Sequence, residues 1–485
     1  MKLLRSSLPL ILLASFVVQP LRIVAQSDEV PPKPDGAYDS QLWLDDFHEL
    51  LAAMASHYAD LDWAIEDRHL DLPKLRADAE QGLRSATSDQ AAEHIFEQFL
   101  NAFGDGHLSL KWPSAKAADP SSQSASLCSR LGFKTPGRKG IEFSLLPNFV
   151  TISGEGSNLF PGGLLDLHRS KVGVIRIANF NEHGFPDACE NALGELHLDD
   201  KSACDHSCQI RVALRASNYL TAEVVKRANQ LHTLGATALL IDITHNDGGD
   251  DWNEAVARSL TPVRLIEEHQ GFLKVPFWTA RLQDYLHSVE SDISAGKQPQ
   301  KVLTAAAERL KMAIAESEEP CDRSHVFDDG RLTCSLVGEE KLYWGGILPY
   351  AKPGSFSEWD SKPILFNPLK LSYHEGANRL PLFVAVDSHS WSSAERFAGL
   401  LQDNHAARVV GELTGGAGCG FVDGGIPTTL THSHAQVKIP NCVGYLKDGS
   451  NANDGITPDI FVPWATRDTP YTRASKIAAV LGRKN

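Results

Sequence analysis

Ser392 stands in DSHSWSSAERFAGLLQD, where the apolar run PLFVAVDS passes through a short turn into a helical repeat. A serine at that junction has two uses. With Glu395 it makes Ser-x-x-Glu, a capping box that does no more than start a helix. As a nucleophile it would have the helix's unpaired N–H groups and partial positive charge beside any oxyanion it creates. A nucleophilic serine needs a base. His107, in the glycine-rich junction GDGH (104–107), is a candidate, although the plain reading of a lone histidine is structural. The stretch ALLIDITHNDGGDD (238–251) runs a buried strand into two glycines flanked by acids. Gly248 and Gly249 make either a tight turn or a place where a backbone N–H is laid bare for an oxyanion, with a second N–H from Ser393. In GELTGGAG (411–418), Thr414, Gly415 and Gly416 would line a substrate cleft, and in NDGITPDIFV (453–462) Asp454 or Asp459 would orient a histidine or simply form a turn.

Two patterns bear on metals. CDHSC (204–208) would be half a zinc site, but no second half follows at suitable spacing, so it reads as a disulfide or free thiols. His432 and His434 in THSHAQ would share one face of a strand but lack a third ligand. No metal and no organic cofactor is expected.

The elements that must position these residues are legible as periodicities. Leu44, Phe47, Leu51, Met54 and Tyr58 recur at three and four, and a second such pattern runs from Asp89 through Ile95, Phe96, Phe99, Leu100 and Phe103. Together they predict an N-terminal helical module (26–113) that ends at GDGH. A low-complexity loop, SAKAADPSSQSAS (114–126), leads into a β-rich, glycine-punctuated stretch around 141–165, read with its linker as a small barrel-like module (114–170). From Lys171 the pattern alternates: strand KVGVIRIANF, a helix over Leu220–Leu234, strand ALLIDI, a short helix Asn253–Leu260, then PLFVAVDS, a helix, and RVVGELTGGAGCG. Alternation of this kind predicts an α/β core with parallel pairs, here 171–470. Residues 262–375 interrupt it as an insertion or lid, and 471–485 read as a C-terminal tail.

The formal charge of −15 argues against a nucleic-acid partner. Lys2 and Arg5 followed by LPLILLASFVV and Ile23-Val24-Ala25 read as a signal peptide over 1–25. Its removal takes away Lys2, Arg5 and Arg22 and no acid, which carries the charge from −15 to −18. The expected location is periplasmic or extracellular, with an N-terminal lipid-facing anchor if the segment is not cleaved; no membrane span is expected in the mature chain. Eight cysteines in an exported chain predict disulfides. Cys321 with Cys334 and Cys419 with Cys442 would close local loops, though connectivity is not fixed by sequence. The oligomeric state is not readable.

Taken in order, GDGH, DITHNDGG, DSHSWSSAERFAGLLQD, RVVGELTGGAG and DGITPDIFV resemble the serine peptidases of the tail-specific, C-terminal processing and tricorn-core family. The resemblance covers about half the chain and leaves out 262–375. It implies a crotonase-like ββα-spiral α/β core and a peptide or protein substrate. It also implies a nucleophile at Ser392 and an oxyanion hole of the Gly249 (or Gly248) and Ser393 amides. One branch of that family uses a lysine base in GxxTxGKG, but here Ala417 occupies the lysine position. The chain is similar instead to the tricorn-type branch, which implies His107 as base. That branch carries a glutamate before its xPD motif; NANDGITPD has none, and Asp454 is the nearest carboxylate. An imidazole base predicts activity rising between about pH 6 and 8. The rival expectation is a catalytically inactive member that binds peptides or apolar ligands outside the cytoplasm.

Overall fold

A computed structural model describes residues 38–113, 126–135, 137, 140–153 and 158–483. The expected signal segment lies outside them, as does most of the low-complexity loop.

The N-terminal helices form where the periodicity and the caps agree. Helix α1 (Ser40–His57) starts at Asp39, whose carboxylate accepts the Gln41 N–H at 2.9 Å. α2 (Leu72–Ser85) starts at Asp71 and α3 (Asp89–Asn101) at Ser88, each with the same kind of cap. Their apolar stripes meet edge to face: Phe47 lies 4.9 Å from Phe99 and 5.5 Å from Phe96, ring centre to ring centre. Each of these fully buried rings contributes about 1.5–3 kcal/mol of transfer free energy. The module is not closed at residue 113. Strand Ser109–Lys111 pairs antiparallel with Gln436–Lys438, and Leu430, Val437 and Ile439 complete the N-terminal core. The chain around His107 is thereby held by two distant segments at once.

The central sheet has seven strands. They are β1 (Phe149–Thr151), β2 (Gly162–Asp166), β3 (Lys171–Arg176), β4 (Ala238–Asp242), β5 (Leu382–Val386), β6 (Arg408–Gly411) and β7 (Ile460–Phe461), in the spatial order β7-β6-β5-β4-β3-β2-β1. β3 to β7 pair in parallel; β1, β2 and β3 pair antiparallel. The expected barrel-like module is therefore a hairpin that extends the core sheet. Its glycines permit the close pairing: a Cβ at Gly162 would stand 2.1 Å from the Val174 carbonyl oxygen. β4 is buried along its whole length, which suits a central strand covered on both faces. Helix α4 (His206–Thr233) begins fourteen residues before the apolar stripe that predicts it, capped by Asp205 on the Cys208 N–H. α5 (Trp252–Ser259) follows β4.

The insertion folds as two packed helices, α6 (Pro276–Ser294) and α7 (Gln300–Ser317), with their own core of Trp278, Leu282, Val289, Leu303 and Leu310. Helix α8 (Ser393–Asp403) follows β5. The expected C-terminal tail is helix α9 (Pro470–Leu481), which buries Ala474, Ile477 and Leu481 against the sheet. His432 and His434 lie in a turn, not on a strand: His434 has φ +56°, and the His432 N–H donates to Asp46.

All eight cysteines are paired: Cys128–Cys189, Cys204–Cys208, Cys321–Cys334 and Cys419–Cys442. Two of these are the local loops expected from sequence. CDHSC is a disulfide, not a metal half-site.

Candidate active site

Ser392 ends the turn between β5 and α8 with φ +55° and ψ −121°. A non-glycine residue held there costs about 1–3 kcal/mol and persists only where its surroundings over-determine it. Here they do. The Ser390 hydroxyl donates to the Ile243 carbonyl at 2.8 Å, the Trp391 N–H to the Asn246 carbonyl at 2.9 Å, and the Ser392 N–H to Glu395 Oε2 at 2.9 Å. Capping and exposure of the hydroxyl at a helix start are thus compatible, because Glu395 holds the backbone while Ser392 faces a cleft of about 610 Å³.

The glycine turn packs directly on this serine. A Cβ at Gly248 (φ +88°) would lie 2.7 Å from both Ser392 Cβ and Ser393 N, and one at Gly249 (φ +142°) would lie 2.1 Å from Asn181 N. Neither position admits a side chain. The two expected oxyanion donors separate here. The Gly248 N–H is spent on Asn246 Oδ1 at 2.9 Å. The N–H groups of Gly249 and Ser393 have no partner among the described residues, and both residues line the cleft beside Ser392.

His107 lines the same cleft. Its N–H donates to Asp105 Oδ1 at 2.8 Å, and its Nδ1 hydrogen-bonds the Ala417 carbonyl. A carbonyl can only accept, so Nδ1 carries the proton and Nε2 is the basic nitrogen. Gly420 leaves room for the ring, since a Cβ there would be 2.8 Å from Nε2. Asp454, expected to orient this histidine, does not reach it. Its Oδ1 accepts the Trp63 indole N–H at 3.0 Å and it borders a different cleft. The Ala417 carbonyl takes the orienting place.

Thr414, Gly415 and Gly416 also differ from expectation: they serve Glu395 and the serine turn rather than the cleft. The Thr414 hydroxyl and the Gly416 N–H donate to Glu395 Oε1 at 2.6 and 2.7 Å, and the Gly415 N–H donates to the Ser390 carbonyl at 3.1 Å. The cleft is lined by the next residues, Gly418, Cys419, Phe421 and Val422. Glu395 reads from sequence only as a cap, and its wider role in the site is what sequence reasoning missed. Its buried carboxylate accepts from Ser392 N–H, Thr414 hydroxyl, Gly416 N–H and Ala417 N–H. Burial pushes it above the usual carboxylate range, opposed by those donors. It joins the serine turn to the peptide that holds His107.

The far wall comes from the insertion: Trp278, Arg281, Tyr285, Trp344, Ile364 and Lys370. Its cations are already paired, Lys370 with Asp251 at 2.7 Å and Arg281 with Asp423. On the α8 side Arg396 lies over the Trp344 ring at 4.5 Å and pairs with Glu254 at 2.8 Å and with Glu267. The wall therefore offers aromatic surface and neutralised charge, suited to an extended chain of mixed side chains.

A hydroxyl on a strained strand–helix turn, a histidine fixed in one tautomer and two amides without partners among the described residues, all facing one cleft, are the parts that serine hydrolase chemistry requires. Residues 333–462 match the model of peptidase family S41. Over 92% of the chain the fold is similar to mature CPAF, with TM-score 0.55, 15% identity and 97% of that chain covered. A CPAF mutant gives TM-score 0.56 at 16% identity, over 92% of this chain and 97% of that one. CPAF complexed with lactacystin gives 0.53 at 16% identity, with 92% and 98% covered. No curated protein matches the chain by sequence.

Proposed function

We propose that this chain is an exported serine peptidase that cleaves peptide bonds through an acyl-enzyme on Ser392, with His107 as base. Ser392 Oγ adds to the scissile carbonyl while its proton passes to His107 Nε2. The N–H groups of Gly249 and Ser393 take the oxyanion, and the protonated His107 then gives its proton to the leaving amine. Water, deprotonated by His107, releases the acyl group. The observation that carries this reading is the meeting, in one cleft, of Ser392 in its left-handed backbone conformation with a histidine whose Nδ1 is committed to the Ala417 carbonyl. The mechanism needs no metal or organic cofactor.

Export is supported by the pairing of all eight cysteines, a state that persists in oxidising compartments. The expected periplasmic or extracellular location rests on that and on the N-terminal sequence. Among the described residues no helix is long and apolar enough to cross a membrane. The substrate is a peptide or protein, accommodated by a cleft of about 610 Å³ walled with Trp278, Tyr285, Trp344 and Phe421.

Hydrolysis of an unfolded protein, followed by mass spectrometry of the products, tests the activity. Wild type should release peptides, and Ser392→Ala and His107→Ala should each lose roughly four orders of magnitude in rate. Peptide release by Ser392→Ala at the wild-type rate would exclude the assignment.

A further inference from the structure

His245 and His389 play no part in the proposed chemistry, yet each stands in one of the two turns that build the site. His245 begins the turn that leads to Gly249, and His389 precedes Ser392 by three residues. Between them lies Asp387, at the end of β5, 1% exposed at its side chain. Its Oδ1 accepts the His245 N–H at 2.9 Å, the His389 N–H at 3.1 Å and the Ser390 hydroxyl at 3.3 Å. Among the described residues, its Oδ2 meets only the His245 ring at Nδ1. The imidazoles of His245 and His389 stack at 4.5 Å between centroids with 15° between planes. One ligand atom from each of the three side chains lies within 4.8 Å of the others, and the rings are half-buried and exposed respectively, so the group opens to solvent.

The bland account is a structural ion pair: Asp387 holds His245 at φ +54°, and His389 rests on top. That account gives His389 no role, and it requires a histidine in the left-handed region where asparagine or glycine would be easier. Two imidazoles and one ionised carboxylate, half of it committed to orienting N–H donors, form the donor set of a divalent transition ion with a position left over for water.

We propose that His245, Asp387 and His389 bind a divalent transition ion of the zinc class and thereby clamp the oxyanion turn to the nucleophile turn. The ion lies outside the acyl-transfer chemistry; it adds a third fastening to the Trp391–Asn246 and Ser390–Ile243 hydrogen bonds that already join the two turns. Copper and nickel suit the same donors, and zinc is favoured where it is the more available.

The test uses the full mature chain, stripped with chelator and titrated with Zn²⁺ by calorimetry and with Co²⁺ by visible absorption. Wild type should bind one Zn²⁺ per chain, show cobalt d–d bands and gain thermal stability with added Zn²⁺. His389→Ala, a change at an exposed side chain, and His245→Asn, which tolerates the left-handed backbone, should each weaken binding at least about tenfold and remove the Zn²⁺-dependent shift in Tm. His432→Ala, in a turn beside α1, should leave both unchanged. Folding of each variant is read by near-ultraviolet circular dichroism, and one folded variant suffices. Absence of binding by folded wild type, or binding equally tight in His389→Ala, would overturn the proposal.

Discussion

Asp250 follows Gly249 directly and lines the cleft with Asp251, and its carboxyl lies close to the Glu182 carboxyl and the His183 ring. The residue is open to solvent on one side, but desolvation by the wall, and then the charge of Glu182, push its carboxyl up to about 7. Below that pH it is neutral; above it, it is an anion one residue from the amide assigned to the oxyanion. The sign follows: ionisation of Asp250 near pH 7 opposes the rise in kcat/KM expected from His107 over the same range, and Asp250→Asn should steepen that rise. Stability moves the same way. The folded state holds this proton between about pH 4 and 7 and the unfolded state does not, so this group's contribution declines as pH rises through that window. Tm measured across it should therefore decline more in wild type than in Asp250→Asn. Identical pH profiles for the two proteins would remove Asp250 from the site's electrostatics. None of this is legible in NDGGDD, because Glu182 comes from a loop after β3, far away in sequence.

At the scale of elements, the site depends on Glu395 joining the start of α8 to the loop after β6. Glu395→Gln keeps the shape but replaces an acceptor oxygen with an NH₂ group facing N–H donors. The Ala417 peptide, and with it His107, should lose its fixed orientation. The expected result is kcat lower by about a hundredfold with KM little changed, and stability lower by about 1–3 kcal/mol for unsatisfied buried groups. Steady-state kinetics and urea unfolding check both parts; an unchanged kcat would show that His107 is oriented without Glu395. The helix and strand that frame Ser392 were readable because their signals are local: an apolar run, then Ala394, Phe397, Ala398 and Leu401 in line. Glu395 was readable only as a cap, since its other donors lie nineteen to twenty-two residues on. The glycines of GELTGGAG were misread for a related reason: a flexible-looking loop was assigned to the cleft, whereas its amides are used as donors to a buried carboxylate. Asp454 was misassigned because Trp63, its partner, is 391 residues distant. The role of His107 came from the resemblance, not from its own surroundings in the sequence.

For the whole molecule, the decisive fact is that His107 and Ser392 belong to different packed units. The N-terminal helices are tied to the rest by strand Ser109–Lys111 and by Arg323 from the insertion. Arg323 is 2% exposed; it donates to the carbonyls of Ala55 at 3.0 Å and Tyr58 at 3.1 Å and pairs with Asp62 at 2.8 Å. Removing it leaves the Ala55 and Tyr58 carbonyls without this donor and Asp62 with the Ser335 hydroxyl alone, at a cost of about 1–3 kcal/mol. Arg323→Ala should lower Tm and should reduce activity through misplacement of His107, although Arg323 touches neither His107 nor Ser392. Full activity in a protein with a lowered Tm would show that the two units keep their register without it. The insertion's part in the cleft wall was invisible in sequence, since Trp278, Trp344 and Lys370 come together only through its own folded core.

The central claim is that Ser392 is a nucleophile activated by His107. It is tested most directly by labelling the purified protein with a fluorophosphonate at about pH 8, with intact mass and peptide mapping. Wild type should gain one adduct, mapped to Ser392. Ser392→Ala should gain none, and His107→Ala should label far more slowly. A folded wild-type protein that takes no label, or one that labels as fast without His107, would contradict it.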